Sequence, residues 1–225
     1  MRTRGSWLLA VAAGCFSVGV VIGNPAFAGS YNDGSFGITA TGSQLTTTYA
    51  GASTFADTNT FAGYTGSVTT SVGTISGGSL NDGTNPDSGI DNSITNWLAG
   101  DPAETITFNA NQSYFGMLWG SIDSYNTVDF YENGTLVDAV TGQELVAGTG
   151  AQNYPNPGSF VDFVANSSAD DFNEIVLSDS NGNCCFETDN YAVLGAVPVP
   201  EPGTLALFGM ALLALGGLGI GKKFV

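Results

Sequence analysis

The chain has 225 residues and carries twenty acidic side chains against four basic ones, with no histidine, for a formal net charge of −16. Arg2, Arg4, Lys222 and Lys223 all lie in the terminal segments, and every acidic residue except Glu201 lies between Gly29 and Val199. That body therefore offers no basic side chain to activate a serine or cysteine nucleophile, no histidine for a zinc site and no positive charge for nucleic acid.

Arg2 and Arg4 precede an apolar run from Trp7 to Ile22, which breaks at Asn24-Pro25 and ends at Ala26-Phe27-Ala28. Small residues at the −3 and −1 positions are what signal peptidase accommodates, so residues 1–28 read as a secretory signal peptide cut between Ala28 and Gly29. A competing reading takes Ala12-Ala13-Gly14-Cys15 as a lipoprotein box, with Ala12 where leucine is usual.

Residues 29–196 suit one domain in size. They are rich in Gly, Ser, Thr and Asn, with β-branched and aromatic residues in short runs and no sustained helical periodicity, which predicts an all-β domain. The first strand signals are thin, at Phe36 to Thr41, Leu45 to Tyr49 and Ser67 to Ile75. Clearer ones follow at Thr105 to Phe108, Tyr114 to Trp119 and Thr127 to Tyr131, where Val128 and Phe130 share a face. Asn133-Gly134 tolerates the positive backbone angles of a type I′ turn and leads into a returning strand, Thr135 to Val140, so these elements predict a three-stranded meander. Phe160 to Val164, Phe172 to Leu177 and Phe186 to Leu194 complete the set. Strands at this spacing, joined by Gly/Asn/Asp turns, point to a single β-sandwich of jelly-roll type.

Clustered oxygen ligands outside a cell suit calcium. Asp87 and Asp91 lie in one polar loop and Asp179 begins another, with Glu187 and Asp189 on the closing strand, so these five are the candidate calcium ligands. The second loop is no EF-hand, since Cys184 stands where glycine is needed and Asn190 where the bidentate glutamate is needed; both loops also read as ordinary polar turns. Cys184 and Cys185 are the cysteines left after processing, and a vicinal disulfide, two reduced thiols or pairing with another chain all remain open. Trp97, Tyr125, Tyr131 and Tyr154 are candidate sugar-stacking rings, whereas Trp119, alternating with Phe115 and Met117, belongs in the core. Glu104, Glu174 and Glu187 are examples of carboxylates from which a glycosidase pair would be drawn, with no feature that selects one. No catalytic activity is expected.

The tail runs from a proline-rich linker at 197–203 into an uncharged span at 204–221 and a short basic end at 222–225. The span predicts a transmembrane helix, and Lys222-Lys223 place the extreme C-terminus in the cytoplasm and the anionic body outside. A plain tail anchor would share these features. The order Pro200-Glu201-Pro202, apolar span, basic end resembles a PEP-CTERM sorting signal, although arginines are commoner than the two lysines here. That resemblance implies signal peptidase and exosortase as processing partners, the membrane as a way station, and delivery to the cell surface or a secreted exopolysaccharide (biofilm) matrix. Tyr114 to Asn126, with Phe186 to Tyr191, likewise resembles exosortase-dependent surface proteins, which carry no assigned reaction; Thr188 departs from the aliphatic residue commoner at its position. The expectation is an exported surface or matrix protein with a structural or adhesive role, the alternatives being a polysaccharide-binding module, with calcium as a possible stabilising ion, and, more remotely, a two-carboxylate glycosidase.

Overall fold

The computed structural model describes residues 28–42, 44–82, 96–151, 158–180 and 186–194. Two tight turns are dictated locally. Gly34 (φ 61°) turns β1 (Ala28–Asp33) into β2 (Phe36–Gly42), and Asn133 and Gly134 (φ 50° and 78°) turn β8 (Asn126–Glu132) into β9 (Thr135–Thr141), as the Asn-Gly pair predicts. Val128 and Phe130 share the buried face of β8.

The other strands are β3 (Ala52–Ala56), β4 (Ser67–Thr69), β5 (Gly73–Asp82), β6 (Asn96–Gln112), β7 (Tyr114–Trp119), β10 (Ser159–Ala165), β11 (Phe172–Asp179) and β12 (Glu187–Leu194). Hydrogen bonding joins all twelve into one sheet in the order β1-β2-β10-β7-β12-β6-β11-β8-β9, with β3 also on β12, β5 on β6 and β4 on β5. The sheet folds over so that its two halves face each other. Phe36 of β2 meets Phe130 of β8 at 4.4 Å, Phe163 of β10 meets the same ring at 5.2 Å, and Phe115 of β7 meets Phe108 of β6 at 6.4 Å. A smaller cluster of Trp97, Tyr114, Leu118, Phe160 and Ala192 covers the opposite side of the β10-β7-β12 half. β7 and β12 are buried on both faces, so β7 reads as an unbroken apolar run rather than an alternating one.

Among the described residues one helix, α1 (Gly142–Thr149), follows β9 and also touches β1 and β2, which brings the two ends of the sheet toward closure. It starts at a capping box, in which the Thr141 hydroxyl accepts from the Glu144 N–H and the Glu144 carboxylate accepts from the Thr141 N–H, and it ends at Gly150 with φ 72°. Gly148 lets the Tyr31 ring lie on the helix, since a Cβ there would stand 2.5 Å from the ring.

Several expectations are corrected. The all-β class holds, but the halves are not separate sheets, because β12 bonds both β7 and β6; jelly-roll sandwich connectivity is not found among the described residues. The three-stranded meander reduces to the β8–β9 hairpin, since β7 pairs with β10 and β12, where its two apolar faces find cover. Leu45 to Tyr49 is no strand: the Thr47 hydroxyl accepts from the Tyr49 N–H at 2.9 Å and turns the chain. Ser67 to Ile75 divides into β4 and the start of β5. Among the described residues no helix is long and apolar enough to cross a membrane, and the signal peptide (1–27 of it), the linker 197–203, the span 204–221 and the end 222–225 lie outside them.

Candidate functional site

Four consecutive polar residues, Glu187, Thr188, Asp189 and Asn190, are buried at the start of β12, in the middle of the sheet. Burying such groups is unfavourable unless partners satisfy them. Thr188 lies opposite Trp119, a member of the main core, and Asp189 opposite Leu118, a member of the smaller one, so neighbouring residues alternate between the two sides. Between the pairs Asp189–Leu118 and Ala192–Gly116, two residues of β12 (Asn190 and Tyr191) then oppose one of β7 (Met117), and the extra residue is Asn190, with φ 54°. In an unbulged strand Thr188 and Tyr191 would face opposite sides; the β-bulge puts both on the inner side. Thr188 Oγ1 consequently lies 2.5 Å from the Tyr191 hydroxyl and 3.4 Å from the Leu98 carbonyl. The bulge is held by Asn190 itself, whose side chain donates to the Leu45 carbonyl at 2.7 Å and whose N–H donates to Asp189 Oδ1 at 2.7 Å.

The Tyr191 hydroxyl donates to Glu104 Oε1 at 2.7 Å. Glu104, on β6, is wholly buried opposite Gly77 of β5 and Leu177 of β11, and its Oε2 has no hydrogen-bond partner among the described residues. Room for this turn of the sheet comes from Gly77 and Gly78, both at positive φ; a Cβ at Gly78 would lie 2.7 Å from the Ala99 carbonyl oxygen. Burial pushes the Glu104 carboxyl up to about 8, against the opposing hydrogen bond from Tyr191, and it raises the Tyr191 hydroxyl well above its ordinary value, with the Glu104 charge adding to the effect. Asp189 is also pushed up to about 8, by burial first, against the Asn190 N–H, with the Asp57 charge adding; its Oδ2 likewise has no partner among the described residues.

Another buried carboxyl lies on β10. Asp162 Oδ1 accepts from the Tyr114 hydroxyl at 2.5 Å and from Thr47 Oγ1 at 3.1 Å; burial raises its pKa while these two hydrogen bonds oppose the shift. Tyr49 stacks on Tyr114 with ring centres 4.6 Å apart and remains 38% exposed. A third group gathers at one end of the sheet. Tyr125 is raised to about 12 by burial, then by a hydrogen bond with Asp123 and by the charges of Asp123, Asp179 and Glu187. Glu187 accepts a short hydrogen bond from Ser121 through Oε2, and its pKa is raised chiefly by burial.

The candidate ligands and rings divide accordingly. Asp179 and Glu187 come to the same end of the sheet, while Asp189 is sealed under the smaller core; among the described residues no three His, Cys, Asp or Glu side chains gather as a metal site. Trp97 is a correction: it is wholly buried, with its ring in the smaller core, and offers no face to a sugar. Tyr125 and Tyr131 are partly exposed. Asp87, Asp91, Tyr154, Cys184, Cys185 and the Pro200-Glu201-Pro202 motif lie outside the described residues, whereas Ala28 and Gly29, the expected cleavage pair, open β1. Sequence reasoning missed the joint role of Glu104, Tyr191 and Asn190. The one signal was Thr188, whose hydroxyl at an expectedly aliphatic position is explained by its partners here.

A carboxyl sealed in an aromatic core cannot meet a soluble substrate, so this network organises the fold. An open hollow of about 230 Å³ beside α1, lined by Ser124, Gly142, Gln143, Val146 and Ala147, holds no carboxylate. The described part of the molecule is thus an anionic, mostly β domain with a buried polar seam. The tail of the chain carries the more specific mark: residues 198–222 match the PEP-CTERM protein-sorting motif, which implies processing by an exosortase and sorting to the cell surface. No curated protein and no solved structure matches the chain.

Proposed function

We propose that the protein is an exported surface or matrix component whose β domain has a structural or adhesive role and no catalytic activity of its own. The sorting motif at 198–222 carries this reading. Two features of the domain support it. Its most perturbed carboxyls, Glu104 and Asp189, are fully buried rather than placed in a cleft, and residues 29–199 contain no basic side chain to serve as proton acceptor or anion clamp. Processing would begin with signal peptidase at Ala28–Gly29, continue through a membrane stage held by 204–221, and end with exosortase acting at the tail. Exopolysaccharide is the proposed environment, and calcium bridging of surface carboxylates the proposed use of the net charge.

The test follows the protein in its own bacterium. Wild-type chain should be recovered from the cell surface or the matrix, and a chain with alanine at Pro200, Glu201 and Pro202 should accumulate in the membrane fraction. Equal distribution of the two would sink the sorting reading. Release of sugar from matrix polysaccharide by the purified protein, abolished by replacing one carboxylate, would overturn the non-catalytic reading.

A further inference from the structure

The buried polar stretch of β12 coincides with the join between the two halves of the sheet. Among the described residues that join consists of two pairs, Glu187 with Ala99 and Thr188 with Leu98. Beyond it, β12 leaves β6 and pairs instead with β3 through Tyr191 to Leu194. On the inner side the join is backed by the chain of groups running from the Leu98 carbonyl through Thr188 and Tyr191 to Glu104. We propose that this join is a proton-dependent latch: a neutral Glu104 carboxyl lets Tyr191 and Thr188 close β12 onto β6, and ionisation of Glu104 releases β12 from β6.

The physical reason is the absence of anything to compensate the charge. A carboxylate taken out of water needs a cation or several donors. Glu104 receives one donor, from Tyr191, and its second oxygen has no partner among the described residues. Its flanking residues, Gly77 of β5 and Leu177 of β11, do not titrate. Among the described residues the titratable groups facing it are Tyr191 of β12 and Tyr64 from the segment between β3 and β4, whose hydroxyl is already committed to the Gly77 carbonyl at 2.6 Å. On the outer side of β12, Asp189 meets the charge of Asp57, which follows β3, and its own Oδ2 is unpartnered among the described residues. Every ionisable neighbour is therefore neutral or anionic, and an ionised Glu104 gains solvation only if water enters. Among the described residues the two-pair join is the shortest of the strand pairings, and the latch opens there. β12 ends at Leu194, just ahead of the sorting motif that begins at residue 198, so the latch sits on the strand from which the sorting tail hangs.

Hydrogen exchange on the full chain, with each rate corrected for the intrinsic exchange rate at that pH, tests the latch. Closing binds a proton, so protection of β12 should fall as pH rises from 5 and level off above about 8, by at least about tenfold over that range. The β8–β9 hairpin, which pairs with neither β12 nor β6, should hold its protection and so separate latch opening from general charge repulsion. The Asp189 carboxyl on the same strand is pushed up as well, so the comparison is made in the Asp189→Asn background: a slope should remain there, and adding Glu104→Gln should remove most of it. Unchanged β12 protection across the range in Asp189→Asn, or the same slope after adding Glu104→Gln, would overturn the proposal. Should that double variant fail to fold, infrared spectroscopy of Asp189→Asn decides, since Asp189 would otherwise give the same signal: a protonated carboxyl band persisting at pH 7 supports the latch, and its absence refutes it.

Discussion

Replacement of Phe130 by alanine probes whether the two halves of the sheet are held by aromatic packing across the fold. Phe130 is wholly buried on β8 and meets three rings, Phe36 of β2 at 4.4 Å, Phe172 of β11 at 5.0 Å and Phe163 of β10 at 5.2 Å. Two of these belong to the opposite half, so the ring is a bridge rather than a member of one face. Truncating a buried phenylalanine costs about 3–5 kcal/mol in lost transfer energy and cavity formation, a large share of the roughly 5–15 kcal/mol that holds a typical domain together. Phe36→Ala should cost a similar amount, and because the two rings touch, the double variant should cost less than the sum by about 0.5–1.5 kcal/mol. Urea unfolding followed by tryptophan fluorescence is a suitable assay, since Trp97 and Trp119 are both fully buried and report on the two clusters. The measurement is best made at pH 5, where Glu104 and Asp189 hold their protons. A loss below about 1 kcal/mol for Phe130→Ala, or strict additivity with Phe36→Ala, would mean that β2 and β8 do not face each other as described.

The remaining predictions concern the polar seam and the helix. Glu104 has a folded pKa of about 8 against an ordinary 4.5, so its contribution is fully present below about 4.5 and is lost as pH rises to about 8; at pH 7 the loss is at most about 3 kcal/mol. Asp189 acts in the same direction, and thermal melts should show a higher Tm at pH 5 than at pH 8, whereas a flat or rising Tm would contradict the burial of these two groups. Thr188→Val keeps the shape but removes the hydroxyl beside Tyr191, and should cost about 1–2 kcal/mol in the same denaturation assay. Asn190→Val places a β-branched residue at φ 54° and should cost about 1–3 kcal/mol, with a larger effect than Thr188→Val on the protection of β12. Gly148→Ala drives a methyl into the Tyr31 ring and should lower stability by about 1–3 kcal/mol; a neutral result would show that α1 does not pack on β1.

What the chain determines by itself is whatever rests on local chemistry. The sorting motif, the expected cleavage pair and the all-β class follow from short runs of residue types. The Asn133-Gly134 hairpin follows from the backbone angles those two residues tolerate, and the burial of Trp119 from its alternation with Phe115 and Met117. The absence of basic residues from 29–199 bounds the chemistry without any structure. Tertiary structure alone decided which strands meet. The run Tyr114 to Trp119 was legible as a strand but not as a neighbour of β10 and β12, because pairing between distant segments is settled by burial of both faces and not by the run's own pattern. The α1 helix escaped notice since its eight residues show too few turns for a period, and its stability comes from the Thr141–Glu144 cap and from packing on β1. Glu104 read as one carboxylate among twenty; its neutral, buried state depends on Tyr191, which reaches it only because the bulge at Asn190 turns two residues three apart toward the same side of one strand.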